Sequence, residues 1–515
     1  MSDVSLIVGA GPVGLMLASL FTKYGVPFRL IDENPAPVIQ TKAAGLWSRT
    51  LEAFHHLGID QAILDVSHRS YQAHTYSGGE ERVRMNLSKI PSFYNFVTLL
   101  PQHRTEHVLT EELRKHGVEA ERGLRLLHLD GGTATIEEVA SGTTQRETYR
   151  YIFGTDGAHS RVRKEIGATF QGDKLPGCWL VADMIARGDE LPEDEVSMFM
   201  GPHGPFALFA LGESRYRVVA SSPEPLEEIT LEFFQKSAED SVPFPIQLSD
   251  PQHMQAFSIN ERQADKYSNG TAFLLGDAAH IHSPAGGQGV NTGMQDAFNL
   301  AWKVAQVVRW GSSPALLETY HQERHPVARR VLETTGLAMR AVTITNPIGQ
   351  KLRSAAMGLF GNLEPVQSRI RAGMAQLDVH YGESALNLAE GTNKLDPGDR
   401  VPEVFWRDAQ SRSHRLHDLF CGLHWTLLTR GESPLLPSVD PARLQRIAIT
   451  RLGVSSAVRY SDPASDLVDA LGLEPGSHLL VRPDGYLAGV FEAGAEDLLL
   501  AYWQRHCANR AALPT

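Results

Sequence analysis

The stretch Thr271-Ala-Phe-Leu-Leu-Gly276-Asp277-Ala-Ala-His280-Ile-His-Ser-Pro284-Ala-Gly286-Gly287-Gln288-Gly289-Val290-Asn291 decides how this chain is read. Phe273-Leu-Leu275 is short, apolar and closed by Gly276, the pattern of a buried strand end. Asp277 leaves that end as a hydrogen-bond acceptor suited to a sugar hydroxyl, and Pro284 stiffens the loop behind it. The glycines let backbone approach a flat ring closely. Apolar positions then recur at Val290, Met294, Ala297, Ala301, Val304 and Val308, so a long helix begins here and turns its N-terminal N–H groups toward whatever the glycines admit. Such a terminus stabilises negative charge on a bound ligand. His280 and His282 read as loop and packing residues, because an H-x-H pair without matching carboxylates or cysteines is a poor metal site, and no metal is expected.

At the N-terminus, residues 4–8 read as a strand, 13–24 as an apolar helix and 28–32 as a second strand, a βαβ opening that implies a parallel sheet. The turn between strand and helix is Gly9-Ala-Gly11-Pro12-Val13-Gly14, which matches G-x-G-x-x-G in the context that gives it value. Its glycines permit a tight turn, close approach to a pyrophosphate and close helix packing, while the helix start attracts an anion. Asp32 and Glu33 end the second strand, where a carboxylate accepts hydrogen bonds from ribose hydroxyls and repels a 2′-phosphate. This motif alone leaves FAD and NAD equally open.

A third element, Gly154-Thr-Asp156-Gly157-Ala-His-Ser160-Arg161-Val-Arg163, completes a set that resembles the class A flavoprotein monooxygenases, the aromatic hydroxylase family. Gln102, in Leu100-Pro-Gln102-His-Arg-Thr-Glu106, is similar to the family glutamine that contacts the flavin. The resemblance implies FAD, held by Gly9, Gly11, Pro12, Val13, Gly14, Asp32, Glu33, Lys42, Gln102, Asp156, Asp277, Pro284, Gly287, Gln288, Gly289, Val290 and Asn291. Lys42 is a departure, since many family members have arginine there and lysine lacks the planar bidentate fork. Arg163 reads equally well as a cofactor charge or a solvated helix charge, and Arg161 reads as the more engaged of the two.

The fold class expected is α/β. A Rossmann-like FAD-binding domain (residues 1–173 and 257–390) carries an inserted sheet-rich substrate domain (174–256). A third unit (391–515) begins in the polar, turn-rich stretch 391–402 and resembles the thioredoxin-like domain of the phenol hydroxylase branch. Cys421 has no neighbouring cysteine, so no dithiol role is expected there. A length of 515 residues fits about three domains. The net charge of -12 offers no cationic field for nucleic acid. The apolar run near the N-terminus is broken by glycines and Pro12, so neither a signal peptide nor a membrane span is expected, and three scattered cysteines fit the cytoplasm.

The resemblance further implies that NADH or NADPH reduces FAD, oxygen adds at flavin C4a, and the hydroperoxide hydroxylates an electron-rich phenolic or polycyclic aromatic ring. The flavin then carries the chemistry and no catalytic side chain is assigned. Phe206, Leu208 and Pro284 are the candidate substrate contacts, with the inward face of the strand left open. Oligomeric state stays open between monomer and homodimer. The alternatives are a flavoprotein that sequesters an aromatic ligand without catalysis, a plain NAD-dependent dehydrogenase, and a flavin-dependent halogenase, whose W-x-W-x-I-P signature none of the seven tryptophans supplies.

Overall fold

The first strand, Ser5–Val8, lies at the heart of a six-stranded sheet, parallel to Phe28–Asp32 on one side and to Ile152–Gly154 on the other. Ala272–Leu274 extends the sheet in parallel beyond Ile152–Gly154, and Glu121–Arg122 extends it beyond Phe28–Asp32. Each parallel crossover carries helix onto a sheet face, which explains why the central strands are buried throughout. The computed structural model describes residues 3–38, 44–175, 177–388, 392, 394–408, 410–434, 436, 438–450, 458–462 and 464–507.

The opening βαβ forms as expected. Its helix, Pro12–Tyr24, starts with Pro12 where no amide hydrogen is needed and stops at Gly25, whose left-handed φ of 67° turns the chain. The long helix Gln288–Trp310 packs directly on it, and contact is close because Gly293 presents no Cβ to Val13. Two helices that begin at the same cleft are thereby held side by side.

The substrate-side sheet has seven strands in the order Gln247–Phe257, Cys178–Arg187, Arg215–Ser222, Gly204–Gly212, Val196–Gly201, Gln72–Ser77 and Glu80–Asn86. The last two come from residues assigned by sequence to the nucleotide domain, so the sheet is larger than the insert 174–256. Gln72–Ser77 joins through a parallel pairing of Ala73 with Val196, a contact between distant segments that local periodicity does not encode. Helix Leu231–Ser241 covers one face through Phe234 and Ala238. The other face looks toward the nucleotide domain. Helices Ala315–Val342, Pro347–Phe360 and Glu364–Ala375 follow.

In the C-terminal unit a five-stranded sheet runs in the order Val458–Ser461, Leu444–Thr450, Trp425–Arg430, His478–Val481, Leu487–Phe491. The first three strands are parallel, His478–Val481 is antiparallel to them, and Leu487–Phe491 is antiparallel to His478–Val481; helix Glu496–His506 follows. The unit docks on the long helix, where Trp302 meets Trp425 edge to face at 5.6 Å.

Candidate flavin and substrate site

A cavity of about 1860 Å³ runs from Gly9, Gly11 and Asp32, past Gln102 and Asp277, to Pro284 and Gly287, and on to the seven-stranded sheet. Helix Pro12–Tyr24 begins at one end with Gly11 as its cap, and helix Gln288–Trp310 begins at the other with Gly287, φ 64°, as its cap. Neither start is capped by a side chain, so both present first-turn N–H groups and a partial positive charge to one continuous space. A dinucleotide with a pyrophosphate at one end and an electron-accepting ring at the other fits that distribution of donors. The glycine loop fits it sterically too. A Cβ on Gly11 would meet no protein atom within 4 Å, whereas one on Gly9 would come within 2.5 Å of the Thr155 carbonyl oxygen. Gly11 therefore faces the ligand space and Gly9 the protein.

Gly9, Pro12, Val13, Glu33, Gln102, Asp277, Pro284, Gly287, Gln288, Gly289 and Val290 all reach the cavity wall. Asp277 is exposed to it between buried neighbours. Asp32 also lines the cavity, but its Oδ2 accepts the Ala10 N–H at 2.7 Å and its Oδ1 accepts the Asn34 N–H at 2.9 Å, so it shapes the glycine loop as well. Lys42 lies outside the described residues.

Gly14 and Asn291 lie outside the cavity wall, and Asp156 has a second role. Gly14 does not reach the cavity: a Cβ there would sit 1.9 Å from the Gly9 carbonyl oxygen, so its role is helix-to-loop packing. Asn291, fully buried, is not in the wall either. Its Oδ1 accepts from the Trp47 N–H at 2.9 Å and Thr50 at 2.7 Å, and its Nδ2 donates to the carbonyls of Gly45 and Gly287. It ties together Gly45, Trp47 and Gly287, which line the cavity. Asp156 lines the cavity, yet its carboxylate accepts the Ser160 hydroxyl and the backbone N–H groups of Arg161 and Val162, capping the short helix Arg161–Glu165. Burial pushes that carboxyl upward against these bonds.

The two arginines divide the work. Arg161 lines the cavity, is exposed and pairs with Glu165 at 2.7 Å. Arg163 is buried, donating to the carbonyls of Ala278 and Ala158 and lying 3.9 Å over the Phe170 ring, so it braces the loop that carries Asp277.

On the sheet, Ala207, Phe209 and Val219 line the cavity, joined by Met198 and Trp179. Phe206 and Leu208, the residues proposed from sequence, point to the opposite face and pack in the core that Phe234 and Ala238 complete. Alternation along a strand makes either face available to the sequence, and only the covering helix decides which is dry. Across from the sheet, Met339 and Met374 supply the outer wall. His282 borders this space, its Nδ1 facing the Ser283 carbonyl at 3.1 Å, and burial followed by the charge of His280 lowers its pKa to about 4. His280 itself is buried against Asp296, Nε2 to Oδ2 2.7 Å. Among the described residues no group of three or more His, Cys, Asp or Glu side chains is placed to hold a metal ion.

Asp296 and Arg324 were not singled out by the sequence. Asp296 Oδ2 accepts the Gly276 N–H at 3.1 Å, and Arg324 binds its Oδ1 at 2.7 Å, so the pair anchors the Gly276-Asp277 turn from behind. A charged position inside the apolar helix beginning at Val290 was the available signal.

The FAD binding domain family model matches residues 1–335. The chain is 32% identical over 522 residues to 6-methylpretetramide 4-monooxygenase from Streptomyces rimosus, covering 97% of this chain and 92% of that protein. It is 35% identical over 344 residues to pentachlorophenol 4-monooxygenase from Sphingobium chlorophenolicum, covering 64% of this chain and 63% of that protein. Among solved structures, the anhydrotetracycline hydroxylase from Streptomyces rimosus aligns with a TM-score of 0.78 at 28% identity, over 98% of this chain and 99% of its own. With two open helix starts at the ends of one cavity and sequence likeness across nearly its whole length, the chain belongs to the FAD binding domain family and is an FAD-dependent aromatic monooxygenase.

Proposed function

We propose that the chain hydroxylates a phenolic ring on a polycyclic scaffold, with NADH or NADPH as transient reductant and O2 as the source of the oxygen atom. The observation that carries this is cavity size. A single small-molecule site occupies about 300–1,000 Å³, and 1860 Å³ leaves room for a large second molecule beside the cofactor. The apolar sheet wall of Ala207, Phe209 and Val219 suits fused rings. Names of relatives that act on pretetramide and anhydrotetracycline agree with it.

FAD supplies the two-electron redox chemistry and oxygen activation when bound. Protein groups do the rest: the Gly287 helix start faces developing negative charge, Asp277 offers an acceptor to a cofactor hydroxyl, and the sheet with Met339 and Met374 excludes water and orients the ring. The balance is one aromatic C–H, O2, NAD(P)H and a proton giving C–OH, water and NAD(P)+.

A panel of simple phenols and polycyclic polyketide-like aromatics, screened for stimulated NAD(P)H oxidation with product mass measured, tests the reading. A gain of one oxygen atom with polycyclic members is expected; hydrogen peroxide as the sole product across the panel overturns it.

The division into a nucleotide domain, a substrate sheet and a C-terminal unit is part of this reading. Strand order and the closing helix support a thioredoxin-like C-terminal unit without a dithiol, since the free cysteines Cys178, Cys421 and Cys507 are separated. Among the described residues no helix is long and apolar enough to cross a membrane. We place the protein in the cytoplasm as a monomer or homodimer.

A further inference from the structure

Gln376 ends helix Glu364–Ala375 in the left-handed region, φ 55° and ψ 34°. Eight non-glycine residues among those described have such a φ, and Gln376 is the only buried one, 3% exposed. Glycine ordinarily fills this position, because a side chain there strains the backbone. A strained residue kept in a buried place points to work done by its side chain.

That side chain is the middle of a three-amide relay. Gln376 Nε2 donates to the Gln288 Oε1 and to the Thr292 hydroxyl at 2.9 Å, and Gln376 Oε1 accepts from Gln295 Nε2. Gln288 Nε2 donates to the Met374 carbonyl at 3.0 Å. The direction of the relay is set at two carbonyls. Met374 O only accepts, so the Gln288 amide nitrogen faces it and the Gln288 oxygen faces Gln376. The Thr292 hydroxyl gives its hydrogen to the Gln288 carbonyl at 3.0 Å and therefore accepts from Gln376. Both anchors require the nitrogen of Gln376 to point at the long helix.

The two ends of this relay belong to different parts of the site. Gln288 opens the helix whose N–H groups face the cavity beside Gly287, with Thr292 one turn further on, while Ile370, Gly373 and Met374 of helix Glu364–Ala375 supply another stretch of the same cavity wall. We propose that Gln376 is a positioning residue that keeps the flavin-facing helix start in register with the substrate wall, so that reduced cofactor and O2 oxygenate the ring instead of yielding peroxide. The proposal rests on the hydroxylase reading above. Coupled turnover puts one oxygen atom into C–OH and one into water; uncoupled turnover takes NAD(P)H, O2 and a proton to NAD(P)+ and H2O2. A displacement well under the size of an atom at the reacting ring suffices to shift that partition.

Two variants of the holoenzyme test it. Gln376→Glu keeps size and still accepts from Gln295 but no longer donates; Gln376→Gly removes the amide and relieves the left-handed strain. Two readouts are taken: the fraction of NAD(P)H oxidised that appears as peroxide, and the visible flavin spectral change on adding the aromatic that perturbs the wild-type spectrum most. Both readouts are taken per bound flavin, with flavin content measured by fluorescence after release, because Gln288 and Gln376 both line the cavity. In both variants the peroxide fraction rises, product-forming kcat falls roughly tenfold and the spectral response falls to half or less. Wild-type peroxide fraction and spectral response in both variants overturn the proposal. So does loss in one variant alone, which traces to the added charge or the loosened backbone. If wild-type enzyme oxygenates no aromatic, the hydroxylase reading fails instead, and the spectral response decides the role of Gln376 by itself; absence of any such response in wild type overturns both.

Discussion

Glu323 and Arg482 stand 159 positions apart in the chain and form a doubly bonded ion pair with no solvent exposure, Nη1 to Oε1 at 2.7 Å and Nη2 to Oε2 at 2.9 Å. Lys303 Nζ reaches the same Glu323 Oε2 at 2.7 Å, and Asp484 accepts from Arg482 and from the Trp302 indole. Against the opposing effect of burial, Arg482 and Lys303 hold the Glu323 carboxyl far below the usual carboxylate range. Burial pushes the Lys303 ammonium down to about 8. The cluster is the seam between the C-terminal unit and the long helix that starts after Gly287.

Arg482→Met removes one charge and leaves Asp484 and Glu323 undercompensated in the interior. A loss of about 3–5 kcal/mol is expected in denaturant unfolding, with earlier proteolysis of the C-terminal unit. A loss below about 1 kcal/mol would show that the seam contributes no more than an exposed ion pair.

Gly11 and Gly14 separate binding from folding. Gly11 has an ordinary φ of -79° and an open Cβ direction, so Gly11→Ala folds with near-native stability and loses FAD, the added methyl standing where the pyrophosphate approaches. Gly14→Ala drives a methyl into the Gly9 carbonyl and yields little folded protein. Thermal unfolding and bound flavin per chain measure both; a Gly11→Ala protein with full flavin content would falsify the loop assignment.

Asp277→Ala takes one acceptor from the cavity without disturbing the buried Asp296 and Arg324 anchor behind the turn. FAD affinity is expected to fall roughly tenfold, the worth of one charge-assisted hydrogen bond. Equilibrium dialysis of the variant decides it, and unchanged affinity removes Asp277 from the cofactor contacts.

The two faces of strand Gly204–Gly212 give opposite outcomes. Ala207→Phe fills the cavity side and raises KM for a polycyclic substrate about tenfold or more while the unfolding midpoint moves little. Leu208→Ala empties the other side and costs about 2–5 kcal/mol of stability with KM unchanged in the folded fraction. Reversed results would place the substrate on the wrong side of the sheet.

His282 carries a pH signature. Its folded pKa of about 4 lies below the ordinary histidine value of 6.5, so the unfolded chain binds the proton first and stability is lost as pH falls from 6.5 toward 4. The cost reaches roughly 3 kcal/mol at the acid end. His280, whose Nε2 faces Asp296 Oδ2 at 2.7 Å, is the neighbouring imidazole. His282→Gln is expected to flatten this part of the apoprotein's stability curve, and an unaltered slope between pH 6.5 and 4.5 refutes the assignment.

The strongest local signals were legible in the sequence, while helix Leu231–Ser241 inside the sheet-rich insert was not. The glycine turn, the Gly276-Asp277 strand end and the start of the long helix announce themselves because φ freedom, hydrogen-bond acceptors and helical periodicity act over a few residues. The strand Phe28–Asp32 falls where the pattern puts it, and so does the bulk of the helix after Val290.

What the tertiary structure alone decided are relations between distant segments. Residues 72–86 join the substrate sheet through Ala73 and Val196, and helix Leu231–Ser241 hides Phe206 and Leu208 while leaving Ala207 and Phe209 facing the cavity. Asn291 and Gly14 carry the family pattern yet serve the scaffold, and Gln376, Glu323 and Arg482 belong to no motif. The reason is that a side chain's partners across a packed interior depend on which surfaces are brought together and dried, and a period of 2 or 3.6 along the chain names a face without naming what covers it.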